Sequence, residues 1–228
     1  MTDARSVTRS TSTFKPRRRR MSTQRRADVA RWMDEWGIAP SGPPLDWPIA
    51  FGRTHRSGFD VVLDIGFGHG ESVLELARRA PTRSVIGIEV HTPGVATVLE
   101  AVEREGLDNV RLVHGDALDF LERVPAASLS EVRIFFPDPW PKERQQHRRL
   151  VRADVVAALT DRLRGGGVLR LATDVESYAD RMMVVCDADA RLRGGRVERP
   201  DDRPLTRFER RGIDEGRHTT DLRYERID

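Results

Sequence analysis

The sequence predicts an α/β fold, built on a mostly parallel, doubly wound sheet with an antiparallel edge strand near the C-terminus. From about residue 60 onward, short apolar runs alternate with amphipathic segments of helical spacing. Such alternation is typical of parallel sheets with right-handed crossovers. The length of 228 residues suits one domain with an appendage and is enough to bury a core without disulfides.

A basic arm and a helix are predicted to precede the sheet. Residues 1–22 are rich in Ser, Thr and Arg, a composition typical of disorder. Residues 23–50 are predicted to form a helix with an apolar face that includes Trp32, followed by the linker "APSGPPLDWP", in which prolines and glycine exclude regular structure. Residues 51–228 form the predicted sheet domain.

Five strands and five helices then alternate. The strands are predicted at "DVVLDIG", "SVIGIEV", "VRLVHGDA", "EVRIFF" and "GGVLRLATD". The helices that follow them are predicted at "GESVLELARRA", "PGVATVLEAVEREG", "LDFLERV", "RLVRADVVAALTDRL" and "ESYADRMMVVCDAD". The C-terminal "DLRYERI" is the predicted antiparallel edge strand.

Composition restricts the compartment and the partners. The single cysteine, Cys186, excludes a disulfide framework, and no cysteine or histidine spacing suits a metal, so we expect none. No apolar run is long enough for a membrane span or an export signal, and we expect a cytoplasmic protein. Residues 1–40 carry ten Arg or Lys residues and four acids, whereas the whole chain has a net charge of +3. This basic arm favours a polyanionic partner, with a solubilising tail as the alternative.

Every predicted parallel strand delivers a carboxylate at its C-terminal end. The carboxylates are those of Asp64, Glu89, Asp116, Asp138 and Asp174. Ligands of such sheets bind beyond the carboxyl ends of the strands, so we expect these acids to share one rim. The turn after the first strand, "GFGHG", contains Gly66, Gly68 and Gly70, which let a ligand approach the backbone closely.

This rim suits S-adenosylmethionine better than a dinucleotide. The glycine spacing is G-x-G-x-G rather than G-x-G-x-x-G, and an acidic rim disfavours a diphosphate. S-adenosylmethionine instead carries an ammonium, a sulfonium, a ribose diol and an adenine amine. We expect Asp64 near its amino-acid end, Glu89 at the ribose hydroxyls and Asp116 at the adenine amine. Each acid taken singly could instead cap a helix or lie in a solvated turn.

The segment "FFPDPWPKER", residues 135–144, holds Asp138 between two prolines. A proline fixes φ and keeps the preceding residue out of helical backbone. Phe136, Asp138 and Trp140 are therefore expected in extended or turn conformations, with the carboxylate in a fixed position. Phe136 and Trp140 could stack on a base, although Phe136 is expected in the core. A turn without further function is the alternative.

Six segments in order resemble the bacterial tRNA (guanine-N7-)-methyltransferase family: "DIGFGHG", "GIEVHTPGV", "HGDA", "FFPDPWPKER", "GGVLRLATDVESYA" and "RPLTRFERRG". The resemblance covers roughly residues 60–228. It implies a Rossmann-like, S-adenosylmethionine-dependent methyltransferase fold. It also implies that the target is N7 of guanine 46, in the variable loop of tRNA.

The resemblance further implies roles for individual residues. Asp138 would be the catalytic residue, and the cofactor would be bound by Asp64, Glu89, Asp116 and Asp138 itself. The substrate-binding residues that it implies are Lys142, Asp174, Thr206, Arg207, Phe208 and Glu209. RNA contacts are implied for the stretch from Arg144 to Arg149, which includes Arg148. The family usually has glutamate in place of Asp64, so the charge is kept and the reach is shorter.

The chemistry of guanine N7 suggests what a fixed carboxylate does. N7 has a lone pair and no proton, so its reaction needs no general base. We expect Asp138 to accept hydrogen bonds from N1–H and the exocyclic N2 amine of guanine and to stabilise the positive charge that develops on the purine. A role as general base is the less favoured alternative.

Three other functions stay open at this point. The first is a methyltransferase of the same fold that acts on another RNA, a protein or a small molecule. The second is an inactive RNA-binding module, which would predict loss of the rim acids. The third is an NAD-dependent oxidoreductase, which the glycine spacing disfavours. The sequence allows either a monomer or a homodimer.

Overall fold

The computed structural model describes residue 13, residues 21–52 and residues 59–228. The arm predicted to be disordered, residues 1–22, therefore lies almost wholly outside the described residues. The strands are β1 (Val61–Ile65), β2 (Ser84–Glu89), β3 (Val110–His114), β4 (Leu129–Phe135), β5 (Leu163–Thr173), β6 (Leu192–Val197) and β7 (Thr220–Arg226). The helices are α1 (Thr23–Trp36), α2 (Trp47–Ala50), α3 (Glu71–Arg79), α4 (Thr92–Glu105), α5 (Ala117–Leu121), α6 (Ala153–Arg162), α7 (Glu176–Asp187) and α8 (Arg207–Asp214), with a 3-10 turn at Glu143–Arg148.

The sheet has the strand order β3-β2-β1-β4-β5-β7-β6, and β1 to β5 are parallel. The predicted C-terminal strand is present and antiparallel, but it is not at the edge. It lies between β5 and β6, because the unpredicted β6 pairs with its outer side. The sequence of β6, "LRGGRV", hides the strand because Gly194 and Gly195 interrupt any alternation. Gly194 has to be glycine, since an added Cβ would lie 1.9 Å from the Arg223 carbonyl oxygen.

Three short helical segments were not predicted. Trp47 and Pro48 were assigned to an irregular linker, but they begin α2, in which the Asp46 side chain accepts a hydrogen bond from Ile49 N. Proline is tolerated there because the first turn of a helix needs no amide donor. The 3-10 turn and α8 lie in polar, arginine-rich stretches whose apolar positions are too few to show a helical period.

Apolar residues cover both faces of the sheet. Leu63 belongs to the core on one side of β1, and its neighbour Val62 to the core on the other. Helix α1 packs on α4, where Trp32 is buried and donates from Nε1 to Glu103 at 2.6 Å. The predicted N-terminal helix is therefore joined to the sheet domain by side-chain packing.

Cys186 is fully buried in the core, and burial raises the pKa of its thiol to about 12. The thiol is therefore unreactive at neutral pH. Over the described ranges, no helix combines the length and apolarity that a bilayer crossing requires. Within those same ranges, no group of three or more His, Cys, Asp or Glu side chains could hold a metal ion.

Candidate active site

The sheet leaves a crevice where its strand order reverses. After β1 the chain moves outward through β2 and β3, and it returns through β4 to continue outward on the other side. The loops after β1 and β4 therefore diverge, and ligands of doubly wound sheets bind at such a point. Asp64 lies near the end of β1, and Asp138 follows β4, so both sequence-predicted acids are at this crevice.

Asp64 is a buried carboxylate, with only 2% of its surface exposed. Its Oδ2 atom has no hydrogen-bond partner among the described residues, and the nearby Ser72 hydroxyl is likewise buried without one. Desolvation raises the pKa of the Asp64 carboxyl to about 6. A buried charge without a partner is unfavourable in the protein alone. A cationic group that contacts Asp64 Oδ2 would therefore stabilise the ionised carboxylate.

The glycine turn after β1 provides open space beside this carboxylate. Gly66 and Gly68 have φ of +76° and +61°, and a Cβ on either would meet nothing within 4 Å. Gly70 is different, because a Cβ there would lie 2.0 Å from Val98 Cγ2. The first two glycines leave room for a ligand, whereas Gly70 allows α3 to pack against α4.

Glu89 holds two loops together at the end of β2. Its Oε2 accepts from Gly68 N at 2.8 Å, and its Oε1 accepts from Val90 N and His91 N at 2.7 and 2.8 Å. The carboxylate thus fixes the glycine turn to the loop before α4. A carboxylate has about four acceptor sites, so one remains for a ligand hydroxyl.

Asp116 and the acids beside it form a set that fits the predicted cofactor. Asp116 is half-buried and caps α5 by accepting from Leu118 N at 2.9 Å. The unpartnered oxygen of Asp64 suits an ammonium group, and the space at Gly66 and Gly68 suits a ligand that lies against the backbone. The described residues therefore fit S-adenosylmethionine, with Glu89 and Asp116 placed along the next two strands.

The loop that carries Asp138 has a strained backbone. Phe136 and Trp140, each of which precedes a proline, have φ of +54° and +40°. Of the extended and turn conformations that the sequence predicted for these residues, they adopt the turn. Their backbone lies in the left-handed region, and this conformation costs about 1–3 kcal/mol for each non-glycine residue. Strain of this size persists only where the surroundings hold the loop in place.

Several contacts hold this loop. Arg149 donates from Nε to the Pro139 carbonyl at 2.8 Å, and its guanidinium lies 4.8 Å from the centre of the Tyr178 ring. Trp140 is 3% exposed, with the guanidinium of Arg148 stacked 3.8 Å above its ring. Burial raises the pKa of the Tyr178 phenol to about 12, and the charge of Asp138 adds to this effect. Asp138 is therefore half-buried near Tyr178 on a braced loop.

The residues predicted to touch RNA in this region divide into two groups. Lys142 and Arg144 are exposed and open to a polyanion. The side chains of Arg148 and Arg149 are engaged by Trp140 and Pro139, and Arg149 is only 7% exposed. Trp140, which the sequence suggested as a stacking residue, is covered and supports the loop instead. Its indole also donates to the Thr13 carbonyl at 3.1 Å.

A second group of predicted residues lies beyond β5. Asp174 is ion-paired with Arg217, which also reaches Glu215 at 2.9 Å. Phe208 of α8 is 49% exposed, and its ring centre lies 5.2 Å from that of Phe136. The sequence predicted Phe136 in the core, but it is half-buried and packs against α8 instead. The two aromatic rings form an apolar surface beside the Asp138 loop.

The position of α8 depends on a buried ion pair that the sequence did not reveal. Glu209 is buried and receives both terminal nitrogens of Arg203 at 2.7 Å. Arg203 also contacts Asp221, at 2.6 Å from Nε to Oδ1. Thr206 caps α8 by accepting from Glu209 N. The side chains of Thr206 and Glu209 thus fix α8, while Arg207 and Phe208 are exposed.

The roles of three arginines could not be predicted from the sequence. Arg203 and Arg217 were not predicted as site residues at all, and Arg149 was predicted to contact RNA rather than to brace the Asp138 loop. Each acts on a residue outside its own helix or strand, so no spacing within one element signals the contact. Arg203 lies within the quoted segment "RPLTRFERRG", which was the only available signal.

Comparisons with known proteins show the family of this chain. A family model described as "Putative methyltransferase" matches residues 59–222. The tRNA (guanine-N(7)-)-methyltransferase of Leifsonia xyli subsp. xyli is 44% identical over 214 residues, which cover 91% of this chain and 92% of that protein. The protein of the same name from Acidithiobacillus ferrooxidans is 49% identical over 172 residues, covering 73% and 76%.

Solved structures are similar in fold. The crystal structure of the 16S rRNA methyltransferase KamB superposes with a TM-score of 0.58 at 17% identity, covering 82% of this chain and 96% of that one. An rRNA methylase from Streptococcus thermophilus gives a TM-score of 0.52 at 16% identity, covering 75% and 88%. At such identities the likeness is one of fold alone.

Proposed function

Because the chain belongs to the tRNA (guanine-N7-)-methyltransferase family, we propose that it methylates N7 of guanine 46 in tRNA, with S-adenosylmethionine as the methyl donor. The observation that carries this proposal is Asp138, held in a proline-locked and arginine-braced loop at the crevice that also contains Asp64. The cofactor supplies an electrophilic methyl group on a sulfonium. The protein has to bind, orient and desolvate the two reactants.

The cofactor residues act through hydrogen bonds and charge. Asp64 accepts from the ammonium group with Oδ2, the oxygen that has no hydrogen-bond partner among the described residues. Glu89 accepts from a ribose hydroxyl with its one remaining acceptor site, and Asp116 accepts from the adenine amine. Gly66 and Gly68 leave the space in which the ligand lies. Gly70 contributes by packing the helix that follows.

Asp138 selects and orients guanine. Its carboxylate accepts from N1–H and the N2 amine, a donor pair that adenine does not have. Because N7 carries no proton, the residue acts by positioning and by stabilising the purine cation, and no base is required. The Phe136–Phe208 surface contacts the base, and Arg149 keeps the loop in place.

The tRNA backbone meets the exposed cations around this crevice. Lys142, Arg144 and Arg207 are exposed on the loop and on α8, and the basic arm at residues 1–22 adds charge. Residues 51–228 form the methyltransferase domain, and residues 23–50 pack onto it. The protein acts in the cytoplasm, on tRNA, as a monomer or a homodimer.

The proposal predicts that Asp138→Asn almost abolishes methylation while the fold stays intact. Asparagine has the same size, but it loses the charge and one acceptor at the guanine edge. The measurement is the transfer of labelled methyl groups from S-adenosylmethionine to tRNA, with nucleoside mapping of the product. Asp34→Asn, which changes an exposed acid on α1, serves as the matched control.

Two outcomes would contradict the proposal. Wild-type turnover in Asp138→Asn would remove the role of that residue. A wild-type protein that binds S-adenosylmethionine but methylates rRNA, a protein or a small molecule instead of tRNA would remove the substrate assignment.

A further inference from the structure

We propose that Arg133 is a positioning residue of the cofactor site: it lies buried beside Asp64 and holds that carboxylate in the charged form that the ammonium group of S-adenosylmethionine requires. The inference rests on the proposed function, because it concerns how the same cofactor is bound. It adds a residue of the sheet interior to the acids of the rim.

The sheet register brings the two side chains together. Asp64 of β1 is paired with Arg133 of β4 in the parallel ladder. Residues in register on adjacent strands project from the same face of a sheet. The guanidinium is completely buried, with 0% of its side chain exposed, and Asp64 is 2% exposed. The pair therefore interacts with little solvent screening.

Arg133 has more donor capacity than its known partner uses. Its Nε donates to Glu131 Oε1 at 2.6 Å. Both terminal nitrogens are buried without a hydrogen-bond partner among the described residues, and the Asp202 carboxylate is 3.7 Å from Nη2. A distance of 3.7 Å is too long for a hydrogen bond. Since the unpartnered atoms of Arg133 and Asp64 form no hydrogen bond with each other, the arginine acts on the carboxylate through its charge, from the paired position on the next strand.

Glu131 does not need Arg133 for neutralisation. Its Oε2 also receives Arg83 Nη1 at 2.9 Å, and Arg170 Nη1 lies 3.4 Å from Oε1. Three arginines thus surround one glutamate. The positive charge of Arg133 is therefore available to Asp64.

The charged groups that act on Asp64 oppose one another. Glu131 of β4 and Glu89 of β2 disfavour its ionisation, whereas the hydroxyl of Ser72 on α3 and, after it, the charge of Arg133 favour it. Among the groups that act on Asp64 in the described part of the chain, Arg133 is the cation. Burial nevertheless raises the pKa of Asp64 to about 6, and Arg133 is the charged group that opposes this rise.

The test is the pH dependence of ligand affinity, measured by calorimetric titration between pH 5 and 7.5. The ligands are S-adenosylhomocysteine, whose α-amino group stays protonated over this range with a pKa of about 8, and methylthioadenosine, which lacks the amino-acid end. Wild-type affinity for S-adenosylhomocysteine should fall about tenfold for each pH unit below the pKa of Asp64. Affinity for methylthioadenosine should stay constant.

Arg133→Met should move the onset of this fall upward by at least about one pH unit, because Asp64 loses its cation. Arg133→Lys should restore the wild-type onset. Arg170→Met is the matched control, since it removes another arginine from the Glu131 cluster and should leave the onset unchanged. A folded Arg133→Met protein with the wild-type onset would overturn the inference.

Two further measurements keep the test decisive. If Arg133→Met does not fold, Arg133→Gln takes its place, because its amide can still donate to Glu131. If neither folds, the wild type decides, because an affinity ratio of the two ligands that is flat from pH 5 to 7.5 would overturn the inference. A wild type that binds neither ligand at any pH would instead contradict the proposed function.

Discussion

At the scale of single residues, the buried carboxylate of Asp64 favours cofactor binding but lowers the free energy of unfolding of the ligand-free protein. The pKa of its carboxyl rises from an ordinary 3.8 to about 6 on folding, so ionisation is more favourable in the unfolded chain. A difference of this size corresponds to about 3 kcal/mol above pH 6. We therefore expect Asp64→Asn to raise the free energy of unfolding of the ligand-free protein at pH 8 by up to this amount, and to weaken cofactor binding strongly.

The pH dependence of the stability difference between wild type and Asp64→Asn shows whether it comes from the buried charge. The penalty on the wild type is present in full above pH 6 and disappears below about pH 4, where the carboxyl is protonated in both states. Urea titrations at pH 8, 6 and 4 should therefore show the stability of wild type and Asp64→Asn converging as the pH falls. A gap that is the same at every pH would mean that the substitution acts through packing. Asp34→Asn, at an exposed position on α1, is the control.

Glu89 has a structural and a binding role that can be separated. Glu89→Ala removes the acceptor of three backbone amides, so we expect both a lower melting temperature and weaker cofactor binding. Loss of charge-assisted bonds worth about 1.5–3 kcal/mol each predicts a rise in the dissociation constant of tenfold to several hundredfold. Glu89→Gln should fall between wild type and alanine, and tRNA affinity should hardly change.

Calorimetric titration and thermal melts of both variants check this prediction. Because Glu89 accepts hydrogen bonds from three backbone amides, a lower melting temperature alone does not show whether its side chain contacts the ribose. Unchanged cofactor affinity in Glu89→Ala would remove the ribose contact and leave only the structural role.

At the scale of elements, the turn between β1 and α3 uses its glycines for different purposes. Gly70→Ala places a Cβ 2.0 Å from Val98 Cγ2, so we expect a clear loss of stability as α3 and α4 separate. Gly68→Ala meets no atom within 4 Å and should lose only about 1 kcal/mol from its left-handed backbone. Its main effect should be on cofactor affinity, because the methyl group enters the ligand space.

Urea unfolding and cofactor titration of the two variants test this division. Equal losses of stability in both, with equal cofactor affinity, would show that the turn is only a strand–helix connection.

At the scale of the whole molecule, the basic arm is expected to increase affinity for tRNA. Removal of residues 1–20 deletes seven Arg or Lys residues, and each lost phosphate contact reduces the slope of log affinity against log salt by about 0.7–0.9. Filter binding across a salt series should give weaker binding and a flatter slope for the truncated chain. Cofactor affinity should be unchanged, because the rim acids lie in the sheet domain.

The control keeps the length of the arm and changes only its charge, with Arg17 to Arg20 replaced by glutamine. This variant should lose part of the salt slope. Identical slopes for all three proteins would make the arm a solubilising tail. Truncation also removes Thr13, whose carbonyl accepts from Trp140, so a fall in turnover seen only on truncation would trace to this contact with the Asp138 loop.

The sequence by itself determined the parallel strands and the acid that follows each of them. Hydrophobic period and strand-end residues are local properties, and the position of an acid after a buried strand fixes its place in a parallel sheet. For the same reason Asp64, Glu89 and Asp138 could be named before any coordinates. The proline-locked loop was also readable, since proline acts on its own backbone and on that of its neighbour.

Only the tertiary structure decided how these residues are supported. Strand β6 exists because β7 offers it an edge, and its own glycines and arginines carry no strand pattern. Arg203, Arg149 and Arg133 find their partners through sheet register and loop packing, over separations that no local spacing encodes. An arginine reads as a surface residue in the sequence, and it becomes part of a site only where folding removes its water and places a carboxylate or a carbonyl beside it.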